Sequence, residues 1–325
     1  MDNNIEFSVI VMNYNSSYDQ IRKTIDSVLF QERVNFEIIV CDDCSKDNHF
    51  GEIDAYLKDK GVDYKLLGTE VNLGTVKNLL RGLREAKGYY TKHIGAGDML
   101  YAPNTLRSVK NFMERTECDY CFGAMQGYRK TMDGYESISQ YFPRDIVAYR
   151  NRDERRIYRN LMVSEDWVSG VSLFSKTEFI YKYMTMLNGR VIYCEDWFTG
   201  LAAVDHNLPL YINRYVTLYE IGEGISTGVN PEFKKKINED NRNFWKLFDE
   251  YCRDRQAKEF YKHIAKRRIK KKFEFLKSEK AKIAYKSIVA PDLVLFEANV
   301  ALQKKKGYHI PPVKPKKNMI ELIDK

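Results

Sequence analysis

Polar side chains follow three apolar runs in the N-terminal part of the chain, at the point where each run ends. These endings are Asn13-Tyr14-Asn15, Asp42-Asp43 and Gly95-Ala96-Gly97-Asp98, after the runs 7–12, 36–41 and 89–94. If the runs are parallel strands, their carboxyl ends meet at one edge of a sheet, where open α/β folds bind ligands. Amide and carboxylate oxygens there could accept hydrogen bonds from a polar ligand or hold a hard cation.

The first 125 residues alternate short apolar runs with amphipathic stretches, the pattern of βα units around a mostly parallel sheet. We predict strands at 7–12, 36–41, 64–67 and 89–94, with helices near 17–30, 50–59 and 74–86 between them. The later part is less regular, with predicted strands at 119–122 and 209–219, an apolar run at 167–174 and a helix opening near Glu195. The sequence therefore predicts an α/β domain with one site at the strand ends.

The order and spacing of these parts resemble glycosyltransferase family 2, nucleotide-sugar transferases of the GT-A fold, over roughly residues 5–225. The resemblance is carried by residues 8–15, 27–31, 36–47, Asn72-Leu73-Gly74 with Lys77-Asn78 and Gly82-Leu83, and Cys194-Glu195-Asp196-Trp197. It implies a GT-A domain over residues 1–230, a Rossmann-like, mostly parallel sheet flanked by helices. Residues 231–325 form a basic, helical C-terminal region beyond it.

The resemblance implies a donor-binding set at the strand ends. Its members are Asn13, Tyr14, Asn15, Asp42, Asp43, Asn72, Lys77 and Gly97. Asp42 or Asp43 could accept from a uracil N–H or a ribose hydroxyl, and the resemblance favours Asp43. Lys77 stands where the family often has Arg, and it lacks the bidentate fork of a guanidinium. The alternative is that the paired Asp residues cap the next helix.

The segment Gly95-Ala96-Gly97-Asp98 departs from the family pattern. Family members commonly have Asp-x-Asp here, whose carboxylates hold Mg²⁺ or Mn²⁺ against the donor diphosphate. In this chain both of those positions are Gly, and Asp98 remains. We expect a Mn²⁺ or Mg²⁺ site at Asp98, with a metal-free or an inactive site as the alternatives.

Glu195 and Asp196 resemble the family's Glu-Asp motif near the acceptor. Inverting transfer needs a carboxylate that takes a proton from the acceptor hydroxyl, and Asp196 is the candidate base. A helix N-terminus at this point would lower the pKa of Asp196 and keep it ionised. The alternative is a pair of ordinary first-turn acids.

Two further segments resemble loops of the family. Trp167, Ser169 and Gly170 could form the floor under the sugar or acceptor, with Trp167 stacked on a pyranose face or else packed as a core aromatic. The segment 221–227 could close over the diphosphate or be a plain turn.

The net charge of +8 consists of two parts of opposite sign. Residues 231–325 carry 26 Lys and Arg against 13 Asp and Glu, which leaves 27 basic and 32 acidic residues before them. A helix predicted near 256–289 carries a dense cationic band at 266–272. It could dock on an anionic membrane, form a solvated or homo-oligomeric face, or bind nucleic acid; we expect no nucleic acid, because no recognised binding module accompanies the charge.

Six cysteines are too few for a disulfide scaffold. Cys41-x-x-Cys44 and Cys118-x-x-Cys121 have the spacing of zinc ligands, but two of these thiols fall in predicted buried strands, so small buried hydrophobes are favoured. The acidic, polar N-terminus and the lack of a long apolar stretch predict a cytoplasmic protein, with possible peripheral attachment to the inner face of the membrane.

Together with these features, the family resemblance implies an inverting hexosyl- or N-acetylhexosaminyltransferase with a UDP-sugar donor. The predicted acceptor is a hydroxyl of a glycan or lipid-linked chain, as in bacterial surface polysaccharide synthesis. The alternatives are a non-catalytic nucleotide-sugar-binding or interaction protein of this fold, and a nucleotidyltransferase. The latter should have a glycine-rich, basic phosphate loop near the N-terminus, which Asn13-Tyr14-Asn15 is not.

Overall fold

The computed structural model describes residues 4–131, 134–139, 143–221, 231–275 and 278–289, with a few isolated positions from 291 to 298. The strands are β1 Phe7–Asn13, β2 Phe36–Asp42, β3 Asp63–Leu67, β4 Tyr90–Gly95, β5 Met99–Leu100, β6 Tyr120–Thr131, β7 Gly134–Ser139, β8 Leu173–Lys176 and β9 Leu210–Glu220. The helices are α1 Tyr18–Leu29, α2 Phe50–Lys58, α3 Thr75–Glu85, α4 Thr105–Thr116, α5 Ile146–Arg150, α6 Glu154–Ser164, α7 Thr177–Leu187, α8 Phe198–Val204, α9 Pro231–Asp254, α10 Tyr261–Phe275 and α11 Glu279–Val289.

One mixed sheet runs through the body in the order β3-β2-β1-β4-β8-β6-β9-β5, with β7 paired to β6. The strands β3, β2, β1 and β4 are parallel, so the residues after β1, β2 and β4 meet at one edge, as predicted. The strand β8 is antiparallel to β4 and β6, and β9 is parallel to β6. This brings the carboxyl end of β9 to the same edge, which the sequence pattern did not reveal.

Buried apolar residues form a core on each face of the sheet. On one face, α1, α2 and α4 cover residues such as Val9, Val11 and Val40. On the other, α3 and the helices α5 to α10 cover Ile10 and Ile39. Alternate residues of β1 and β2 therefore enter opposite cores, which explains why these strands are apolar throughout.

The C-terminal helices pack against this second core. Phe244 and Phe248 of α9 and Ile264 of α10 are buried in it. Arg267 also faces inward, with its guanidinium 3.5 Å from the centre of the Trp245 ring and 2.6 Å from a carboxylate oxygen of Glu165. Part of the cationic band therefore binds the body and does not face solvent.

Several predicted elements differ from the structure. The single helix predicted over 256–289 is a short 3₁₀ turn at Lys258–Phe260 followed by α10 and α11. The short strands predicted at 209–219 are the single strand β9, and the apolar run 167–174 is mostly irregular before β8. The helices α4 to α7 were not predicted. Within the described residues, none of the helices has the length and apolar character needed to cross a membrane.

Candidate active site

Asp42 joins the loops that follow β1 and β2. Its carboxylate accepts hydrogen bonds from the Asn13 side-chain amide at 2.7 Å and from the Ser45 backbone N–H at 3.0 Å. The Ser45 hydroxyl accepts from the backbone N–H of Asn15 at 2.7 Å, where Asn15 has a left-handed φ of 55°. The buried Asp42 carboxylate thus holds the loop after β1 in place. The side chain of Tyr14 in this loop is 44% exposed.

Asp43 fixes the start of α3. Its two carboxylate oxygens accept from the backbone N–H groups of Leu73 at 2.7 Å and Gly74 at 2.8 Å. Asp43 therefore binds the two residues that lead into α3, which lies beside its strand in space, and not α2, which follows it in the chain. Each oxygen keeps a second lone pair, so Asp43 still has acceptor capacity for a ligand. Asn72 and Lys77 are exposed on either side of these two residues.

The carboxylate of Glu220, at the end of β9, lies beside Gly97 and Asp98. The Glu220 backbone N–H donates to Asp98 at 2.9 Å, and its side chain accepts from the Gln20 amide at 3.0 Å. Asp98 is buried, and this burial, together with the nearby Glu220 charge, raises its pKa to about 8 in spite of the opposing effects of the Glu220 N–H and Lys92. The Asp98–Glu220 pair was missed by sequence reasoning because Glu220 is far away in the chain.

Glu195 and Asp196 meet Gly170 and His93 on the α3 side of the sheet. The Gly170 N–H donates to Asp196 at 3.3 Å, and a His93 ring nitrogen lies 3.7 Å from a Glu195 carboxylate oxygen. A Cβ added at Gly170 would lie 2.5 Å from Glu195 and 3.3 Å from that His93 nitrogen. Glycine at position 170 thus makes room for the two acids, which explains its place in the predicted site.

Burial changes the expected protonation of the two acids. It raises the pKa of both carboxyls, and for Glu195 the neighbouring Asp196 charge raises it further. The lowered pKa that we expected for Asp196 is therefore wrong. Glu195–Trp197 form a 3₁₀ turn ahead of α8, and the loss of water outweighs the hydrogen bonds from the backbone N–H groups of Gly170 and Asp196. A base with a raised pKa is a stronger proton acceptor.

Lys92 has a buried amine whose charge interacts with both Asp98 and Glu195. Its Nζ donates to the carbonyls of Val171 at 2.5 Å and Leu173 at 3.2 Å. Burial lowers its pKa to about 7, although the charges of Asp98 and Glu195 favour the protonated form. His93, the next residue, has its pKa lowered to about 3 by burial and by Lys92, so its ring is neutral.

Trp167 packs mainly against other aromatic rings. It is stacked on Trp197 with a centroid distance of 5.8 Å and makes an edge contact with Phe244 at 5.5 Å. These contacts fit the alternative of a packed aromatic under the site. Ser169 is partly buried, and its carbonyl accepts from the Ser172 N–H at 3.0 Å. Apart from Ile221, the predicted loop 221–227 lies outside the described residues.

The cysteines do not assemble into a four-thiol site. Cys41 packs towards Gly82 of α3, whereas Cys121 belongs to the core on the opposite face of the sheet. The Cys44 thiol donates to the carbonyl of Glu70. Among the described residues, the only group of three or more potential metal ligands is Asp47, His49 and Glu52, at the surface after β2, where the His49 ring bonds to Glu52 at 2.7 Å.

The match to a known family covers the loops after β1, β2 and β4 and extends to Gly170, but it ends before Glu195, Asp196 and Glu220. Residues 8–172, just over half of the chain, match the glycosyl transferase family 2 profile. The chain belongs to glycosyltransferase family 2. The resemblance found in the sequence is therefore confirmed.

This family 2 chain is also similar to individual proteins. It is 31% identical over 116 residues to TuaG of Bacillus subtilis (strain 168), a glycosyltransferase provisionally named for teichuronic acid biosynthesis. That match covers 35% of this chain and 44% of TuaG, so the chain spans less than half of this curated relative. The alignment of this chain with one crystal structure of S. aureus TarS likewise covers 43% of the TarS chain.

The fold is shared with shorter TarS structures. The crystal structure of S. aureus TarS 1-349 is 15% identical, with 97% of this chain and 99% of that chain covered at a TM-score of 0.56. TarS 1-349 in complex with UDP-GlcNAc is 16% identical, with 94% and 93% covered at a TM-score of 0.51. The predicted GT-A fold with a helical C-terminal region is thereby confirmed.

Proposed function

We propose that this chain is an inverting glycosyltransferase that moves a hexosyl or N-acetylhexosaminyl group from a UDP-sugar to a hydroxyl of a glycan or lipid-linked acceptor. The observation that carries the proposal is the partly buried pair Glu195–Asp196 beside Gly170, at the same sheet edge as the loops of Asp42 and Asp43. Crystal structures of TarS 1-349 in complex with UDP and with UDP-GlcNAc support a UDP-sugar donor. The name of TuaG supports a role in surface polysaccharide synthesis.

Asp196 is the proposed general base. Its carboxylate takes the proton of the acceptor hydroxyl while that oxygen forms a bond to the anomeric carbon and the bond from this carbon to the diphosphate breaks. Asp43, with Asn13, Asn15 and Tyr14 near it, binds the nucleoside. Lys77, exposed in the first turn of α3, meets the base or the diphosphate. The Trp167, Ser169 and Gly170 segment is the proposed floor under the sugar or acceptor.

Asp98 and Glu220 are the residues that would hold Mn²⁺ or Mg²⁺. Two carboxylates side by side suit a hard cation that prefers oxygen ligands. Burial raises the pKa of Asp98, and a cation bound to this carboxylate would offset that effect. When bound, the cation would supply positive charge to the donor diphosphate.

Assays with UDP-, GDP- and dTDP-sugars test this proposal. We expect transfer or slow donor hydrolysis with a UDP-sugar, and an Asp196→Asn variant that loses transfer but binds UDP as the wild type does. Pyrophosphate release would indicate a nucleotidyltransferase instead. UDP-sugar binding without any turnover would support the non-catalytic alternative.

We propose that the helices α10 and α11 dock on an anionic membrane surface. Lys262, Lys266 and Ile269 recur at spacings of four and three residues on α10, and all three are exposed. Ile283 and Ile288 of α11 are 57% and 79% exposed. A face that combines basic and apolar side chains suits the interface of an anionic bilayer.

Cosedimentation with vesicles tests this docking face. Binding should increase with the fraction of anionic lipid and weaken in a Lys262→Glu, Lys266→Glu, Ile269→Ser variant. Equal sedimentation with neutral and anionic vesicles would contradict the membrane proposal and favour a solvated or homo-oligomeric face.

A further inference from the structure

Asp240 of α9 is a buried carboxylate bound to three consecutive backbone N–H groups. It is 1% exposed, and it accepts from Ile192 at 2.9 Å, Tyr193 at 2.6 Å and Cys194 at 3.3 Å. No lysine, arginine or histidine among the described residues pairs with Asp240. The three N–H groups, together with a hydrogen bond from the Cys194 thiol, therefore compensate its charge in the interior.

These three N–H groups lie directly before Glu195 and Asp196 in the chain. The segment from 188 to 194 contains no helix or strand, so its path depends on contacts with other parts of the molecule. A buried carboxylate that accepts several N–H groups fixes their orientation, and with it the direction in which the chain enters the Glu195–Trp197 turn. Asp240 thereby controls where the two acids point.

The same segment also contacts the start of α3, next to the loop after β2 that contains Asp43 and is proposed to bind the nucleoside. The Ile192 carbonyl accepts from the Val76 N–H at 2.9 Å. Gly74 has a φ of 81°, and a Cβ added there would overlap the Ile192 side chain. The Gly74 N–H donates to Asp43 at 2.8 Å. A continuous set of contacts therefore runs from Asp43 through Gly74 and Ile192 to Asp240.

We propose that Asp240 is a positioning residue, which holds the Glu195–Asp196 pair at a fixed place relative to the nucleoside loop of Asp43. The inference rests on the proposed function. It means that the C-terminal region helps to position the catalytic acids. Asp240 itself does not contact the reacting groups. It acts through the backbone of residues 192–194.

The test compares Asp240→Asn with Glu239→Gln. The asparagine removes the charge and turns an NH₂ group towards backbone donors that need an acceptor. Glu239 is the preceding residue of α9 and is exposed, so Glu239→Gln makes the same change of charge without touching the segment. In Asp240→Asn we expect kcat to fall by about 10- to 100-fold, since a small misplacement of a catalytic group is costly. The Kd for UDP should stay within about twofold of the wild type.

Amide hydrogen exchange supplies a measurement that does not depend on activity. Exchange at residues 192–196 should be faster in Asp240→Asn than in the wild type and in Glu239→Gln, while β1 and β2 stay protected. Asp240→Glu, which keeps the charge, should restore part of the protection and of kcat. Unchanged exchange at 192–196, or an unchanged kcat, would overturn the inference, as would an equal loss of protection throughout the fold. A wild type that is inactive with every donor would refute the proposed function and leave the exchange result interpretable.

Discussion

The side chain of Glu220 occupies the space that a side chain at residue 97 would need. A Cβ added at Gly97 would overlap a Glu220 carboxylate oxygen, and Gly97 has a φ of 101°, which disfavours other residues. The Gly97 carbonyl also accepts a hydrogen bond from the Tyr128 hydroxyl. The family pattern has a carboxylate at the position of Gly97. In this chain the carboxylate of Glu220, at the end of β9, lies there instead.

Replacing Glu220 should weaken metal-dependent nucleotide binding. In Glu220→Gln we expect the gain in UDP affinity on adding Mn²⁺ to fall by about tenfold, because one of the two carboxylates proposed for the cation is lost. Isothermal titration of UDP with and without Mn²⁺ measures this, with Glu239→Gln as the surface control. Equal UDP affinity with and without Mn²⁺ in the wild type would remove the metal from the proposal.

The transfer rate should rise with pH on its acid side. A base must be deprotonated to act, and burial raises the pKa of Asp196, so the midpoint should lie above the ordinary aspartate value of about 3.9. Glu195 and Cys194 interact electrostatically with Asp196, whereas Lys92 and His93 lie near Glu195.

Glu195→Gln separates the two acids. The Asp196 charge raises the pKa of Glu195, so we expect Asp196 to lose its proton first and the variant to keep the acid-side midpoint within about 0.5 pH units. A pH profile of kcat in which this variant lacks the acid limb would assign the titration to Glu195.

Gly170→Ala should impair transfer without unfolding the protein. The added methyl would lie 2.5 Å from a Glu195 oxygen, so the carboxylate must move, and we expect kcat to fall by about tenfold or more. Gly51→Ala is the matched control, since an added Cβ there has no atom within 4 Å. Wild-type kcat in Gly170→Ala would show that the acids do not need this space.

Asp205 should stabilise the contact between α7 and α9 in a pH-dependent way. It accepts from Tyr183 at 2.6 Å, from Lys182 and Tyr251 at 2.9 Å each, and from Arg255 at 2.6 Å. Burial alone would raise its pKa, but these hydrogen bonds outweigh it and lower the pKa to about 2. The unfolded value is higher, so this stabilisation is complete above pH 4 and is lost as the pH falls towards 2.

Asp205→Asn should remove about 1–2 kcal/mol of unfolding free energy at pH 7, because solvent at this partly exposed carboxylate screens part of the stabilisation that its lowered pKa implies. Urea unfolding at pH 7 and pH 3 measures the difference, which should be smaller at pH 3. The exposed Asp63→Asn serves as the control. The same loss at both pH values would mean that shape, and not charge, is what matters at this position.

The amino-acid sequence by itself determined the β1–β4 half of the fold and the loops that lie at its edge. Those strands are buried on both faces, so each is a short apolar run, and each run ends in polar residues that neighbour one another because parallel strands end together. Asp43 and Asp98 could be named for this reason, whereas Glu195 and Asp196 were named from the family resemblance, which also assigned the expected roles.

Only the tertiary structure decided which partners these residues have. Glu220 reaches Asp98 through the pairing of β9 with β6, and Asp240 reaches residues 192–194 through the packing of α9; both contacts join positions far apart in the chain. The raised pKa of Asp196 likewise depends on burial by distant elements, whereas the local sequence indicated a lowered one. Local patterns specify strands and turns, but desolvation and long-range hydrogen bonds exist only once the chain is packed.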